Sequence, residues 1–333
     1  MKGTLVIAVR SLQAACAFCA IGLGAVSLQA QSRAGDGPYR LERVAAGQGS
    51  GRYTKAVMAP GGAIFALTQR PRQLVRIRWH AARLTATPVA LPPTVFSPAA
   101  LAMDAGDLLV LDPGRRSVHR MRGGEALTEV GSFDVGDATD LCAMRGRIYA
   151  YRRREPAPVA VYSPAGRLLA AFGRPFGSGS SARRESMSQG SLLCDPETGS
   201  LVVAARLTGE IRAYSANGRA LWGRTAPGVR AVIFKEQGEH GVTLTSAPGG
   251  SHELLGLGKA ENGRVLAQYG IQRPGHPGEY GSVETCRLSI GTGEPAANQK
   301  DLPGFVPVAE GWVLSADPAR SRVALFRLLH PGR

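Results

Sequence analysis

The sequence predicts an all-β chain closed as a six-bladed β-propeller, with an N-terminal strand completing the last blade. Three observations predict it. Residues 159–169 (VAVYSPAGRLL) return as 211–221 (IRAYSANGRAL), so that Tyr162, Ser163, Gly166 and Arg167 answer to Tyr214, Ser215, Gly218 and Arg219 at a constant offset of 52. Each copy is an apolar run, a polar turn ending in Gly-Arg and a second apolar run, the pattern of a β-hairpin. A second pair, Met58 with Gly61 and Met103 with Gly106, repeats at an offset of 45. Hairpins recurring every 40–50 residues or so mark propeller blades. Third, the 333 residues include 43 Gly and 22 Pro and are 44% hydrophobic but only 6% aromatic. Many short strands joined by tight turns produce that mix.

Residues 1–30 are expected to lie outside the fold. Lys2 and Arg10 carry the charges there, 11–30 is apolar or small, and Leu28-Gln29-Ala30 before Gln31-Ser32 reads as a signal-peptidase site. A retained membrane anchor is the rival reading, since about 20 apolar residues span a bilayer. Cys16 and Cys19 lack the neighbours that a lipoprotein or haem-attachment signal needs. Residues 31–38 read as a linker, and the propeller is expected over 39–330.

Residues 39–44 alternate apolar and charged side chains, as a half-buried strand does. Strand counting places this strand beside 323–328, tying the chain ends together. Blade one begins near Ala56 and blade two carries 103–111. There the turn Asp112-Pro113-Gly114-Arg115 leads into 118–121, and Asp317-Pro318 repeats the device near the end. Asp before Pro favours a turn, because the carboxylate caps nearby amides and Pro fixes φ. Blade three is read over 140–172 and blade four over 191–222. Blade five is assembled from strands near 230–234, 242–245, 252–257 and 262–266, and blade six from 282–290, 305–314 and 323–328. Residues 39–328 are 290 positions, or about six units at an offset near 48.

Stacking each twisted sheet on its neighbour buries both faces of every sheet, and a ring leaves only short protected edges. A pair of β-sandwiches is the runner-up fold. Two stretches break the pattern: 174–189 (RPFGSGSSARRESMSQ), read as a mobile loop, and 272–280 (QRPGHPGEY), read as a loop with two Pro-Gly-type turns.

In the stretches VYSPAGRLLAAFG (161–173), LLVLDPGRRSVHRM (108–121) and LCDPETGSLVVAARLTGEIRAYSANGRALW (193–222), the chain resembles six-bladed β-propellers of exported bacterial proteins, related in pattern to NHL-type repeats. The resemblance covers most of 39–328. It implies an extracytoplasmic protein whose common role is binding, and it carries over no catalytic residue. Its motifs are structural turns, which specify architecture and hardly specify function.

Motifs that carry chemistry are sparse. Lactonase-type propellers hold Ca²⁺ with Glu, Asn and Asp, whereas Asn217, Asn262 and Asn298 are the asparagines here, two of them followed by Gly. His80, His119, His240, His252, His276 and His330 show no metal-ligand spacing. No phosphate-binding loop, dinucleotide fingerprint or Gly-x-Ser-x-Gly elbow stands out. A Ser-His-Asp arrangement remains open, because its members need not be close in sequence. The sequence therefore names no catalytic, cofactor-binding or metal-binding residue. Asp104, Asp112, Asp140, Asp195 and Asp317 read as turn caps, with a carboxylate rim at the channel mouth as the functional alternative.

Cys142 and Cys194 are again 52 apart, which puts them at matching positions on neighbouring inner strands. A disulfide requires Cα atoms within about 7 Å. Either that bond forms or both remain buried thiols, and Cys286 is left unpaired in both cases.

Lys+Arg number 40 against 25 Asp+Glu, a net charge of +15. Removing Lys2 and Arg10 with residues 1–30 leaves 38 against 25, or +13. Such a balance favours an acidic protein face, anionic lipid or a polyanion, although an Arg-rich proteome produces it with no partner. Export removes nucleic acid as a physiological partner. The candidate partner-binding residues are Arg115, Arg116, Arg152, Arg153, Arg154, Arg183 and Arg184, because Arg suits bidentate pairing with carboxylates.

The leading expectation is a non-catalytic, periplasmic or secreted docking platform with a cell-envelope protein partner, including the role of accessory subunit on a membrane complex. Membrane contact would come through the N-terminal segment or the partner. The alternative is a hydrolase or lyase acting on sugars or lactones at the channel mouth. A third option is a ligand- or glycan-binding module with channel-facing aromatics such as Trp222 or Tyr149.

Overall fold

The structure is a computed structural model that describes residues 39–329 apart from 50–51, 70, 124–125, 238–240, 274–275, 301 and 318–320. The proposed leader 1–30 with Cys16 and Cys19, the linker 31–38, Arg70, His240, Pro318 and His330 lie outside the described residues.

The chain enters as strand β1 (Arg40–Gln48) and then lays down four-stranded meanders. Blade one is β2 (Tyr53–Met58), β3 (Ile64–Thr68), β4 (Leu74–His80) and β5 (Arg83–Val89). Blade two is β6 (Ala100–Asp104), β7 (Asp107–Asp112), β8 (Ser117–Arg122) and β9 (Thr128–Asp134). Blade three is β10 (Ala138–Met144), β11 (Arg147–Arg152), β12 (Val159–Tyr162) and β13 (Leu168–Phe172). Helix α1 (Ser181–Met187) precedes blade four: β14 (Gly190–Asp195), β15 (Ser200–Ala205), β16 (Glu210–Ser215) and β17 (Ala220–Thr225). A separate hairpin, β18 (Ile233–Gln237) and β19 (Gly241–Thr245), is followed by blade five: β20 (His252–Ala260), β21 (Arg264–Arg273), β22 (His276–Ser289) and β23 (Pro295–Gln299). The last blade has β24 (Val306–Ala309), β25 (Trp312–Asp317) and β26 (Arg322–Leu329), and β1 is its fourth strand.

The first strand of each blade lies beside the next around a closed circuit, β2–β6–β10–β14–β20–β24 and back to β2. The burial pattern explains the circuit. Successive side chains on a strand point to opposite faces. On β7, Leu108 and Val110 enter a cluster with Leu67 and Leu74 of blade one, while Leu109 and Leu111 enter another with Leu141 and Ile148 of blade three. The apolar clusters fall one to a seam all the way round, so the core is a set of radial slabs. This arrangement is a β-propeller.

Closure follows the expected device. β1 runs antiparallel to β26 from Arg40↔Leu329 to Gln48↔Arg322. It also runs parallel to β5 at Ala46↔Arg83 through Gln48↔Thr85, which fuses the first and last blades into one eight-stranded sheet. Gly47 permits this approach, because a β-carbon there would collide with the Leu84 carbonyl.

The repeated hairpin acquires a physical meaning. Tyr162 packs on Phe133 of the preceding blade with ring centroids 5.5 Å apart, and Tyr214 packs on Phe172 at the same 5.5 Å. Gly166 and Gly218, both at positive φ, bring their turns onto those same two rings. The repeat therefore records how one blade docks on the last.

Three expectations are corrected. The strands read near 230–234 and 242–245 form the separate β18–β19 hairpin, and 282–290 belongs to blade five as β22. Residues 174–189 contain α1, whose start is capped by the Ser180 hydroxyl accepting from Arg183 N at 3.2 Å. The expected loop at 272–280 is largely strand, since β21 continues to Arg273 and β22 starts at His276.

Candidate partner-binding face

One face of the ring carries the turns between first and second and between third and fourth strands. The other, here the crossover face, carries the second-to-third turns and the blade-to-blade crossings. All seven candidate arginines lie on the crossover face. Arg115 and Arg116 occupy the β7–β8 turn, Arg152 ends β11, Arg153 and Arg154 follow it, and Arg183 and Arg184 ride on α1.

Local chemistry fixes each group. Asp112 is fully buried and accepts hydrogen bonds from the amides of Phe96, Ser97 and Arg115, which folds the Asp-Pro-Gly-Arg-Arg turn under the blade-one crossing. Burial pushes its carboxyl upward, but these amides outweigh it and hold the group below the usual Asp range. Arg116 then takes the left-handed φ of +57°. Arg116 Nη2 and Arg152 Cδ both come within 4 Å of the point a β-carbon would occupy at Gly136, so these two turns meet over one glycine. Further along, Arg153 and Arg154 reach Glu185 of α1 at 3.2 and 2.8 Å. The hydrogen bond from Arg154 and the charge of Arg153 hold the Glu185 carboxyl below its usual range.

The seven arginines thus form one arc across blade two, blade three and α1. Glu185 is shared by two guanidinium groups. Among the described residues no carboxylate lies within ion-pair distance of Arg115, Arg116, Arg152, Arg183 or Arg184. The Nε atoms of Arg152, Arg153 and Arg183 are buried without an acceptor, an arrangement costing about 1–3 kcal/mol per donor. Between the groups opens a cleft of about 360 Å³, walled by Arg153, Arg154, Arg184, Glu185, Pro156 and Pro175. Its wall thus carries three guanidinium groups and one carboxylate.

The central channel is different in character. It encloses about 220 Å³ between the inner strands, with walls including Leu101, Met103, Leu193, Leu257, Val306 and Val308. Lys55 is the one charged residue in that wall among the described residues, and its Nζ lies 2.6 Å from Asp140 Oδ2. Cys142 and Cys194 also face the channel and are joined as a disulfide, with Cα atoms 5.7 Å apart, while Cys286 is buried and free.

The aspartates do not converge into a rim. Asp140 serves the crossover half of the channel, where it also accepts from Leu192 N. Asp104 and Asp195 sit at the opposite end of the ring, paired with Arg120 and Lys259. Asp112 is the turn cap described above, and the Asp317 side chain lies outside the described set. Neither suggested aromatic faces the channel. Tyr149 is buried on β11 with its hydroxyl donating to Ala216 O, and Trp222 lies on the outer strand β17 donating to Ile290 O. Glu185 and the cleft, which depend on α1, are not expected from the sequence.

No family model and no curated protein matches the chain. Solved structures do. A DUF4221 family member from Bacteroides vulgatus aligns with TM-score 0.58 at 9% identity, covering 89% of this chain and 99% of that one. A putative oxidoreductase (glucose dehydrogenase) from Thermus thermophilus aligns with TM-score 0.52 at 16% identity over 88% of this chain and all of that one. A streptogramin B lyase aligns with TM-score 0.50 at 10% identity, over 87% and 98% of the two chains. At such identities the likeness establishes the fold alone. Among the described residues no helix is long and apolar enough to cross a membrane.

Proposed function

We propose that this propeller is an extracytoplasmic docking platform of the exported, NHL-like kind, and that the arginine arc on its crossover face binds an acidic surface of a cell-envelope protein. The observation that supports this reading is the convergence of seven arginines, scattered over 70 positions from Arg115 to Arg184, onto one face beside a cleft. A disulfide between two blades suits an oxidising compartment, and it supports placing the protein outside the cytoplasm. The role of accessory subunit on a membrane complex belongs to the same proposal.

The test is capture from solubilised envelope with the wild-type chain and with the Arg153→Glu/Arg154→Glu/Arg184→Glu variant. The reading expects an envelope protein recovered by the wild type at low salt, reduced at least tenfold by the variant and by raised salt. Recovery of the same protein by both chains, or of nothing by either, overturns it. The folding control is a circular dichroism spectrum and a cooperative unfolding transition like those of the wild type, with a modestly lower midpoint because Arg153 and Arg154 pair with Glu185.

A further inference from the structure

Beside Arg115 and Arg116 at the blade-two end of the arc, and away from the channel, the structure draws together a hydroxyl, an imidazole and a carboxylate. Ser117 and His119 are two apart on β8 and so share a face, the one turned toward blade one with Met121. Glu129 comes from β9, where the pairing Met121↔Glu129 and the adjoining register shift bring it beside His119. Ser117 Oγ lies 2.9 Å from His119 Nε2, and His119 Nδ1 lies 3.0 Å from Glu129 Oε1. Thr94, on the crossing from blade one, donates to the other Glu129 oxygen at 2.5 Å.

Proton positions follow from the inventory of donors. An ionised carboxylate only accepts, so Nδ1 carries the ring proton and Nε2 presents a lone pair. Ser117 O–H is then the donor to Nε2. Burial pushes the Glu129 carboxyl upward, but donors from Thr94, His119 and Ser132 outweigh it and hold the group below its usual range, which keeps it ionised at neutral pH. His119 is 4% exposed and locked, while Ser117 is half-buried at the edge of the crossover face. Nucleophile, base and orienting acid stand in hydrogen-bond sequence, the geometric requirement for an activated serine.

We propose that Ser117, His119 and Glu129 form a nucleophilic relay that hydrolyses acyl esters. Ser117 Oγ forms a bond to the acyl carbon as its proton passes to His119 Nε2. The tetrahedral adduct collapses, the ester C–O bond breaks, and the leaving alkoxide takes the proton from Nε2. Water then attacks the acyl-serine with His119 as base, releasing the carboxylic acid and restoring Ser117. Glu129 and Thr94 act through His119 as positioning residues. Arg115 and Arg116 immediately precede Ser117 and are exposed, so the substrate class is esters carrying an anionic group.

The probes are a fluorophosphonate, with the site read by peptide mass, and two chromogenic esters, p-nitrophenyl acetate and p-nitrophenyl hydrogen succinate. The wild type is expected to be labelled at Ser117 and to hydrolyse the succinate ester faster than the acetate. Ser117→Ala should lose labelling, and His119→Gln should slow it by about 10²-fold or more. Glu129→Gln, which cannot hold the proton on Nδ1 in the same way, should be slower than Glu129→Asp, which keeps a carboxylate. Labelling of Ser117→Ala at the wild-type rate, or of native protein no faster than urea-unfolded protein, overturns the proposal. Circular dichroism of Ser117→Ala matched to wild type separates loss of the nucleophile from loss of the fold.

Discussion

Gly218 of blade four lies against Phe172 of blade three at φ +84°, and a β-carbon there would collide with the ring's Cβ and Cγ. The chain accepts this contact because Tyr214, four residues earlier, packs on the same ring. Gly218→Ala combines positive-φ strain with overpacking and should cost about 2–4 kcal/mol. Denaturant unfolding measures it. Gly218→Ala with Phe172→Leu should lose less than the sum of the single changes, because the smaller side chain makes room. Strict additivity would show that the two residues do not meet.

Lys55 and Asp140 join the first and third blades across the second. Asp140 is 1% exposed and also accepts from Leu141 N and Leu192 N, so Asp140→Ala strands all three donors. It should destabilise by about 3–5 kcal/mol. Lys55→Met should cost less, since the Leu192 and Leu141 amides still satisfy the carboxylate. Unfolding curves showing the lysine change to be the more damaging would contradict this ordering.

The Cys142–Cys194 bond closes a 52-residue separation, for which loop-entropy arithmetic gives about 4 kcal/mol. Cys142→Ser and Cys194→Ser should each lower the unfolding midpoint, and reducing agent should lower that of the wild type alone. In a chain beginning at residue 31, thiol titration should find one reactive group, Cys286, and find it after unfolding. Burial pushes that thiol up to about 12, so it stays protonated in the native state.

His252 sets an acid limit. Burial holds its pKa below the ordinary value, and its Nδ1 accepts from Arg230 N. As pH falls, the unfolded chain therefore binds the proton first, and stability drops with falling pH. The loss should begin near pH 6.5 or so, the free-histidine value, and continue down to the folded pKa. Stability curves from pH 7.5 to 5 should show the slope in wild type and a flatter one in His252→Asn. Equal slopes would remove His252 as the cause.

Blades three and four are legible in the sequence because each one's hairpin repeats the residues that dock it on the preceding blade: Tyr162 with Gly166, Tyr214 with Gly218. Blade five is not, because the β18–β19 hairpin mimics blade strands without joining a blade, and β21 and β22 are long enough to swallow the expected loop. Helix α1 leaves no apolar period because it buries no residue and is held by its Ser180 cap. The arginine arc is half legible: residue types are in the sequence, but convergence depends on turn placement and on Gly136. The Ser117–His119–Glu129 set is illegible, since Glu129 reaches it only through strand pairing across β8 and β9.

The pairing of Arg40 with Leu329 spans nearly the whole chain. β1 cannot take its place until Arg322–Leu329 has been synthesised, so the ring closes late. Late, long-range pairing slows folding. It also makes both extremities indispensable: trimming residues 40–48 or 322–329 would leave two raw sheet borders facing solvent, inviting one molecule to lend its missing strand to another.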